Sequence, residues 1–288
     1  MSNYQTVLSD GFELKYSIRG SGKPILVIGS SVYYPRLFSY DLYSKFQFIF
    51  LDHRGFGKPT RALKAEDYTL DKVINDIETA RQCLHLDHFI ILGHSGHAFM
   101  ALEYAKQYPD HVHKVVLLNS APTNSEERQR KSFSFFNETA CSERKARFEK
   151  DIVLLEEDIK RDPDRRFVHM CIRMGAQSFY DYTIDAAYMW NDVYTNMPII
   201  DYLWGEAFGQ LNLIQSLADI HKPVFIGLGR YDYLVAPVSL WDSIDYSYKN
   251  VKKVIFEHSG HNPMFEEPHH FDPTLSEWLN EDLFYPFN

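Results

Sequence analysis

The chain has 288 residues, 45% hydrophobic, 15% aromatic and 24% charged, which suits a globular protein with one large core or a core carrying an inserted subdomain. A formal net charge of −9 removes any electrostatic case for nucleic acid or for an anionic membrane surface. Cys83, Cys141 and Cys171 are too far apart for metal-ligand spacing, and their odd number argues against a disulfide framework. The segment Met1 to Gly11 lacks a basic-then-apolar signal, and no apolar run approaches the about 18 residues of a membrane span. A soluble, cytoplasmic protein is expected.

In chain order, residues 2–8 and 12–18 read as two strands around the turn Ser9-Asp10-Gly11. Ile25 to Ile28 is an all-apolar run, the pattern of a strand buried on both faces, and Gly29-Ser30-Ser31 follows it. Phe48 to Leu51 is a second such run, ending in Asp52-His53-Arg54-Gly55-Phe56-Gly57. Thr69 precedes a helical repeat of Leu70, Val73, Ile74, Ile77, Ala80 and Leu84. Phe89 to Leu92 is a third buried strand. It runs into Gly93-His94-Ser95-Gly96-His97 and then into a helix that stops at Tyr108-Pro109. Val115 to Leu118 closes at Asn119-Ser120-Ala121-Pro122.

Residues 123–208 lack a convincing strand and read as helices rich in charge and aromatics. Phe148, Ile152, Leu155 and Ile159 form one amphipathic stripe there, and an aromatic run from Phe179 to Phe208 includes Trp190 and Trp204. The strand pattern resumes at Val224 to Leu228, before Gly229-Arg230-Tyr231-Asp232, and at Val254 to Phe256, before His258-Ser259-Gly260-His261; a helix near 275–279 closes the chain. Strands alternating with helices predict a mainly parallel, doubly wound α/β sheet. The division expected is a core of 1–122 and 209–288 with a helical cap of 123–208. In such sheets functional groups gather beyond the carboxyl ends of the strands, where Ser31, Ser95, Asp232 and His261 all fall.

A serine hydroxyl needs a base within reach, and the base needs a third group to fix its tautomer. A serine at an abrupt strand-to-helix turn, followed in order by an aspartate and a histidine at strand ends, satisfies that need: Ser95 as nucleophile, Asp232 as acid, His261 as base. The histidines around His261 (His258, His269, His270) match no zinc spacing, and no metal or cofactor is expected. The backbone N–H group of Gly96 is an expected oxyanion donor. Arg54 is expected to be a structural ion-pair partner and His94 a packing residue. Trp190 and Trp204 are expected to line an apolar substrate pocket, and Glu206 is a candidate to meet a substrate amine.

These motifs together resemble the α/β-hydrolase family, in the branch that holds proline iminopeptidase-like and small-ester hydrolases. The resemblance rests on Asp52 to Gly57, the Gly93-His94-Ser95-Gly96 elbow, Gly229-Arg230-Tyr231-Asp232, and Gly260-His261-Asn262-Pro263 with Glu267-Pro268. It implies the α/β-hydrolase fold and a cofactor-independent serine hydrolase, with the backbone N–H group of Ser31, by likeness to the family pattern, as the second expected oxyanion donor. Two places depart from the family pattern: Gly29 stands where a histidine is usual, and His97 stands where the residue two after the nucleophile is small. A carboxylesterase-like activity on a small apolar ester is the first expectation. The second is a proline iminopeptidase-type aminopeptidase, and a third, of another class, is a weakly or non-catalytic ligand-binding protein. The expected partner is a small molecule or short peptide, not nucleic acid or membrane, and the expected state is a monomer or homodimer.

Overall fold

The structure, a computed structural model, describes residues 4–235 and 237–281. Its strands are β1 (Gln5–Ser9), β2 (Phe12–Arg19), β3 (Lys23–Gly29), β4 (Phe46–Asp52), the two-residue β5 (Lys58–Pro59), β6 (Phe89–His94), β7 (Val112–Leu118), β8 (Val224–Gly229) and β9 (Val251–Phe256). They form one sheet in the order β1-β2-β4-β3-β6-β7-β8-β9, with β5 pairing β2. β1, β2 and β4 pair antiparallel, and every pair from β4–β3 through β8–β9 is parallel. The first strand, expected over residues 2–8, is observed from Gln5; residues 2 and 3 lie outside the described residues. Its turn uses positive φ at Asp10 (45°) and Gly11 (80°), the backbone that a tight two-residue hairpin requires.

The apolar strands split their side chains between two cores, as period-two alternation demands. Leu26, Ile28, Ile49, Leu51 and Ile91 face one core, and Ile25, Val27, Phe48, Phe50 and Ile90 face the other. The helices are α1 (Tyr40–Tyr43), α2 (Leu70–Cys83), α3 (His97–Gln107), α4 (Glu126–Thr139), α5 (Ser142–Ile152), α6 (Leu155–Arg161), α7 (Arg166–Arg173), α8 (Gly175–Ser178), α9 (Met197–Gly205), α10 (Leu213–Ser216), α11 (Pro263–Glu266) and α12 (Pro268–Asn280). Val73, Ile74 and Ile77 of α2, with the apolar residues of α3, cover the first face. Phe271, Leu275 and Trp278 of α12 cover the second. Thr69 is the N-cap residue of α2, but its hydroxyl bonds to the Glu66 carbonyl instead of capping.

Helices α4 to α9 lie between β7 and β8, and an isolated bridge at their base pairs Thr123 with Asn212. The single stripe expected over 148–159 is two helices, α5 and α6, broken at Val153-Leu154; Val153 is 72% exposed. No helix among the described residues is long and apolar enough to cross a membrane.

Candidate active site

All six residues of β6 are buried, and the chain leaves it through Ser95, which has φ +57°. That conformation costs a non-glycine residue about 1–2 kcal/mol and is held by surrounding bonds. Ser95 N–H donates to the Leu118 carbonyl at 2.8 Å, and the Ala98 N–H donates to Ser95 O at 3.1 Å. The close approach of strand and helix is made by Gly93, where a Cβ would overlap the backbone of His97. The bulk of His97 therefore leaves the turn intact, because it is the backbone of His97 that lies against Gly93.

Asp232 follows β8 and His261 follows β9. His261 Nδ1 lies 2.7 Å from Asp232 Oδ2, and both residues are buried. Asp232 is itself held on both oxygens: Oδ1 accepts the N–H groups of Leu234 (3.0 Å) and Val235 (3.2 Å), and Oδ2 accepts Asn119 Nδ2 at 3.0 Å. Asn119 also donates to the Gly260 carbonyl at 2.8 Å, so it ties the acid loop to the histidine loop. Its position directly after β7, matching that of Ser95 after β6, was a visible sign of a site role. The carbonyls that end α8 brace both loops: Gln177 O accepts Tyr233 N–H at 3.1 Å, and Ser178 O accepts His261 N–H at 2.5 Å. Glu266 accepts backbone N–H groups of Tyr180, Gly260 and Asn262, and burial pushes its carboxyl up to about 7.

His94 does more than pack. Its Nε2 lies 2.7 Å from the His261 carbonyl, which can only accept, so Nε2 carries the proton and Nδ1 is free to accept from Tyr34 Oη at 3.2 Å. By the same logic His97 Nδ1, 3.1 Å from the His94 carbonyl, is protonated and donates to Tyr34 Oη at 2.8 Å. Burial keeps the His97 imidazole neutral, with a pKa lowered to about 4, and lowers that of His94 as well. A chain of neutral groups thus runs from α3 to the backbone of His261.

Gly96 opens α3 and lines the cavity beside Ser95, in the place expected of an oxyanion donor. Ser31 does not: its N–H donates to Asp52 Oδ1 at 2.6 Å, and it is fully buried away from the cavity. The end of β4 puts Asp52 opposite Gly29, so the carboxylate captures the N–H that follows. Ser30, one residue earlier, lines the cavity in its stead. Arg54 is the ion-pair partner expected, fully buried, with Nε and Nη2 on the two oxygens of Asp76 at 2.7 and 2.8 Å.

The cavity above Ser95 and His261 has a volume of about 440 Å³. Trp190 and Trp204 line it, with Phe167 between them, and Tyr33 stacks on Trp190 at 4.2 Å. Trp204 lies against Gly96: a Cβ there would meet the indole at 2.8 Å. Glu206 is exposed at the end of α9 and is not part of the cavity wall, so it does not meet a substrate amine. Among the described lining residues there is no Asp or Glu, and the one fixed charge is Arg128 of α4.

A family model for the alpha/beta hydrolase fold matches residues 27–268. The chain is 64% identical over 273 residues to the AB hydrolase superfamily protein YclE of Bacillus subtilis (strain 168), covering 95% of this chain and 97% of that one. It is 25% identical to a proline iminopeptidase of Heyndrickxia coagulans, covering 92% and 93% of the two chains. The solved structure of an esterase from Exiguobacterium antarcticum superposes with a TM-score of 0.67 at 20% identity, covering 98% of this chain and 100% of that one, a likeness of fold.

Proposed function

The chain belongs to the α/β-hydrolase family, and from that premise we propose that it is a serine hydrolase cleaving a small carboxylic ester through an acyl-enzyme. The observation that carries this reading is that Ser95, at φ +57° on a strand-to-helix turn, and His261, in a buried couple with Asp232 at 2.7 Å, both open on one apolar cavity.

In this reading His261 Nε2 takes the proton of Ser95 Oγ as it attacks the ester carbonyl. Gly96 and Ser30 offer backbone N–H groups to the developing oxyanion, and Asp232 stabilises the imidazolium through Nδ1. His261 then protonates the departing alcohol, and a water activated by the same imidazole releases the acid. The steps draw on side chains, backbone and water alone. The helices of 123–208 act as the cap that supplies the apolar wall. An aminopeptidase would need an anion to hold the substrate ammonium, whereas the described wall offers only a cation; this favours the ester.

The test is labelling with a fluorophosphonate. An adduct on Ser95, absent in Ser95→Ala, is expected. No adduct on the wild-type protein, under conditions where a control serine hydrolase labels, would overturn the proposal and favour a ligand-binding role.

A further inference from the structure

Arg128 is the third residue of α4, half-buried, and lines the active-site cavity. Nη1 donates to the Leu234 carbonyl at 3.1 Å and Nη2 to Asn124 Oδ1, both neutral acceptors. Nε is buried and has no partner. The carboxylates on its own helical turn are engaged elsewhere: Glu126 pairs with Arg130 at 3.6 Å and Glu127 with Lys131 at 2.8 Å, all on the exposed face. Asp232 is the carboxylate whose field reaches the guanidinium, and its oxygens are taken by His261, Asn119 and two backbone N–H groups. No ion pair of Arg128 exists among the described residues.

An unpaired guanidinium in an apolar wall is costly. Burial already lowers its pKa from the ordinary value. The first turn of a helix, where the backbone dipole presents positive charge, adds to the cost. An arginine placed so is relieved when an anion enters. The two Nη groups are oriented by neutral acceptors, and each keeps a second N–H to offer a ligand.

We propose that Arg128 is the specificity residue for an ionised carboxylate on the substrate, so that the ester cleaved carries a second, free carboxyl group. One guanidinium with no second cation in the wall balances one negative charge, which fits a carboxylate better than a phosphate dianion. The reaction is ordinary hydrolysis: the ester and one water give a carboxylic acid and an alcohol, one of them bearing the group held by Arg128. The proposal rests on the hydrolase reading above.

Two matched pairs of esters test it. Monomethyl glutarate against methyl pentanoate places the charge on the acyl side. The acetate ester of 4-hydroxybutanoate against butyl acetate places it on the alcohol side. The wild-type protein is expected to favour the charged member of one pair by about tenfold or more in kcat/KM. Arg128→Gln should abolish that ratio and Arg128→Lys should retain part of it. A ratio taken on one protein sample is insensitive to the fraction folded. Preference for the neutral ester in both pairs, or a ratio unchanged in Arg128→Gln, overturns the proposal. Failure of the hydrolase reading would show separately as no turnover of any ester. Calorimetry then decides: Ser95→Ala should bind monomethyl glutarate or 4-acetoxybutanoate about tenfold more tightly than Ser95→Ala/Arg128→Gln, and equal affinities for both ligands overturn it.

Discussion

The imidazole of His97 packs beside Gly29, next to the Tyr34 ring that covers it. A Cβ on Gly29 would stand 3.2 Å from His97 Cε1 and would overlap the ring of Tyr34, and the glycine has φ +145°. The two departures from the family pattern thus meet in space, with Tyr34 packed against both. Gly29→Ala should destabilise the protein by on the order of 3 kcal/mol, from strained backbone and overpacking together. Urea unfolding with an unchanged midpoint would show that the space is not shared in this way.

Asn119 joins the acid loop to the base loop without touching the reacting atoms. Asn119→Ala should lower kcat by about tenfold with little change in KM, whereas Asp232→Asn should cost about a thousandfold or more. Steady-state kinetics on a single ester separates the two. A rise in KM with kcat preserved would mean that Asn119 shapes the pocket and does not position the triad.

Burial keeps His53, His94 and His97 neutral, the last with a pKa of about 4. The unfolded chain binds protons at these rings from about pH 6.5 downward. The native state binds them only at lower pH, so stability falls as pH falls from about 6.5 towards 4, by up to about 1.4 kcal/mol per pH unit for each ring. Asp52 and Glu266, raised by burial to about 7, act in the opposite sense and cost stability as pH rises towards 7. His97→Phe should flatten the acid limb of wild-type stability by about one proton. Urea midpoints at pH 5, 6 and 7 measure this, and parallel curves for the two proteins would contradict it.

The indole of Trp204 rests on Gly96, the residue assigned to the oxyanion. Gly96→Ala should push the indole aside and reduce kcat by about a hundredfold, the loss expected when an oxyanion donor is misplaced. Trp204→Ala should instead raise KM while Gly96 keeps its place. The double variant Gly96→Ala/Trp204→Ala should recover part of the kcat lost in Gly96→Ala, and a failure to recover any would show that the clash is not the cause.

Arg54 and Asp76 are buried together, with Ser9 Oγ also donating to the carboxylate at 2.6 Å. Asp76→Ala leaves the guanidinium without that charge and should cost about 3–5 kcal/mol. Denaturant unfolding is the measurement, and a loss under about 1 kcal/mol would show the pair to be worth no more than a surface bridge.

The residues legible in the sequence were those whose side-chain chemistry the site needs at a strand end. Ser95 and Asp232 each follow a buried apolar run and His261 follows the edge strand β9, and the structure places Asp232 and His261 in contact. Trp190 and Trp204 were visible because a large aromatic in a helical insertion has few other places to go. Ser31 was misplaced because a backbone donor leaves no trace in residue type; the capture of its N–H by Asp52 depends on loop conformation. Glu206 looked like an amine ligand from its neighbours, yet the end of α9 turns it to solvent. The break between α5 and α6 lacks a glycine or proline to announce it. Ser178 contributes only a carbonyl, and the isolation of Arg128 is a property of what surrounds it in space.

The carbonyls of Gln177 and Ser178 that brace the loops of Asp232 and His261 belong to the same insertion that roofs the cavity. Any motion that lifts this roof at α8 also pulls on the backbone of the base. A protein built this way cannot gape on that side and turn over at once. Mechanical coupling between shelter and reactivity is thereby written into two peptide oxygens, and a loosened insertion should lower activity without altering Ser95, Asp232 or His261.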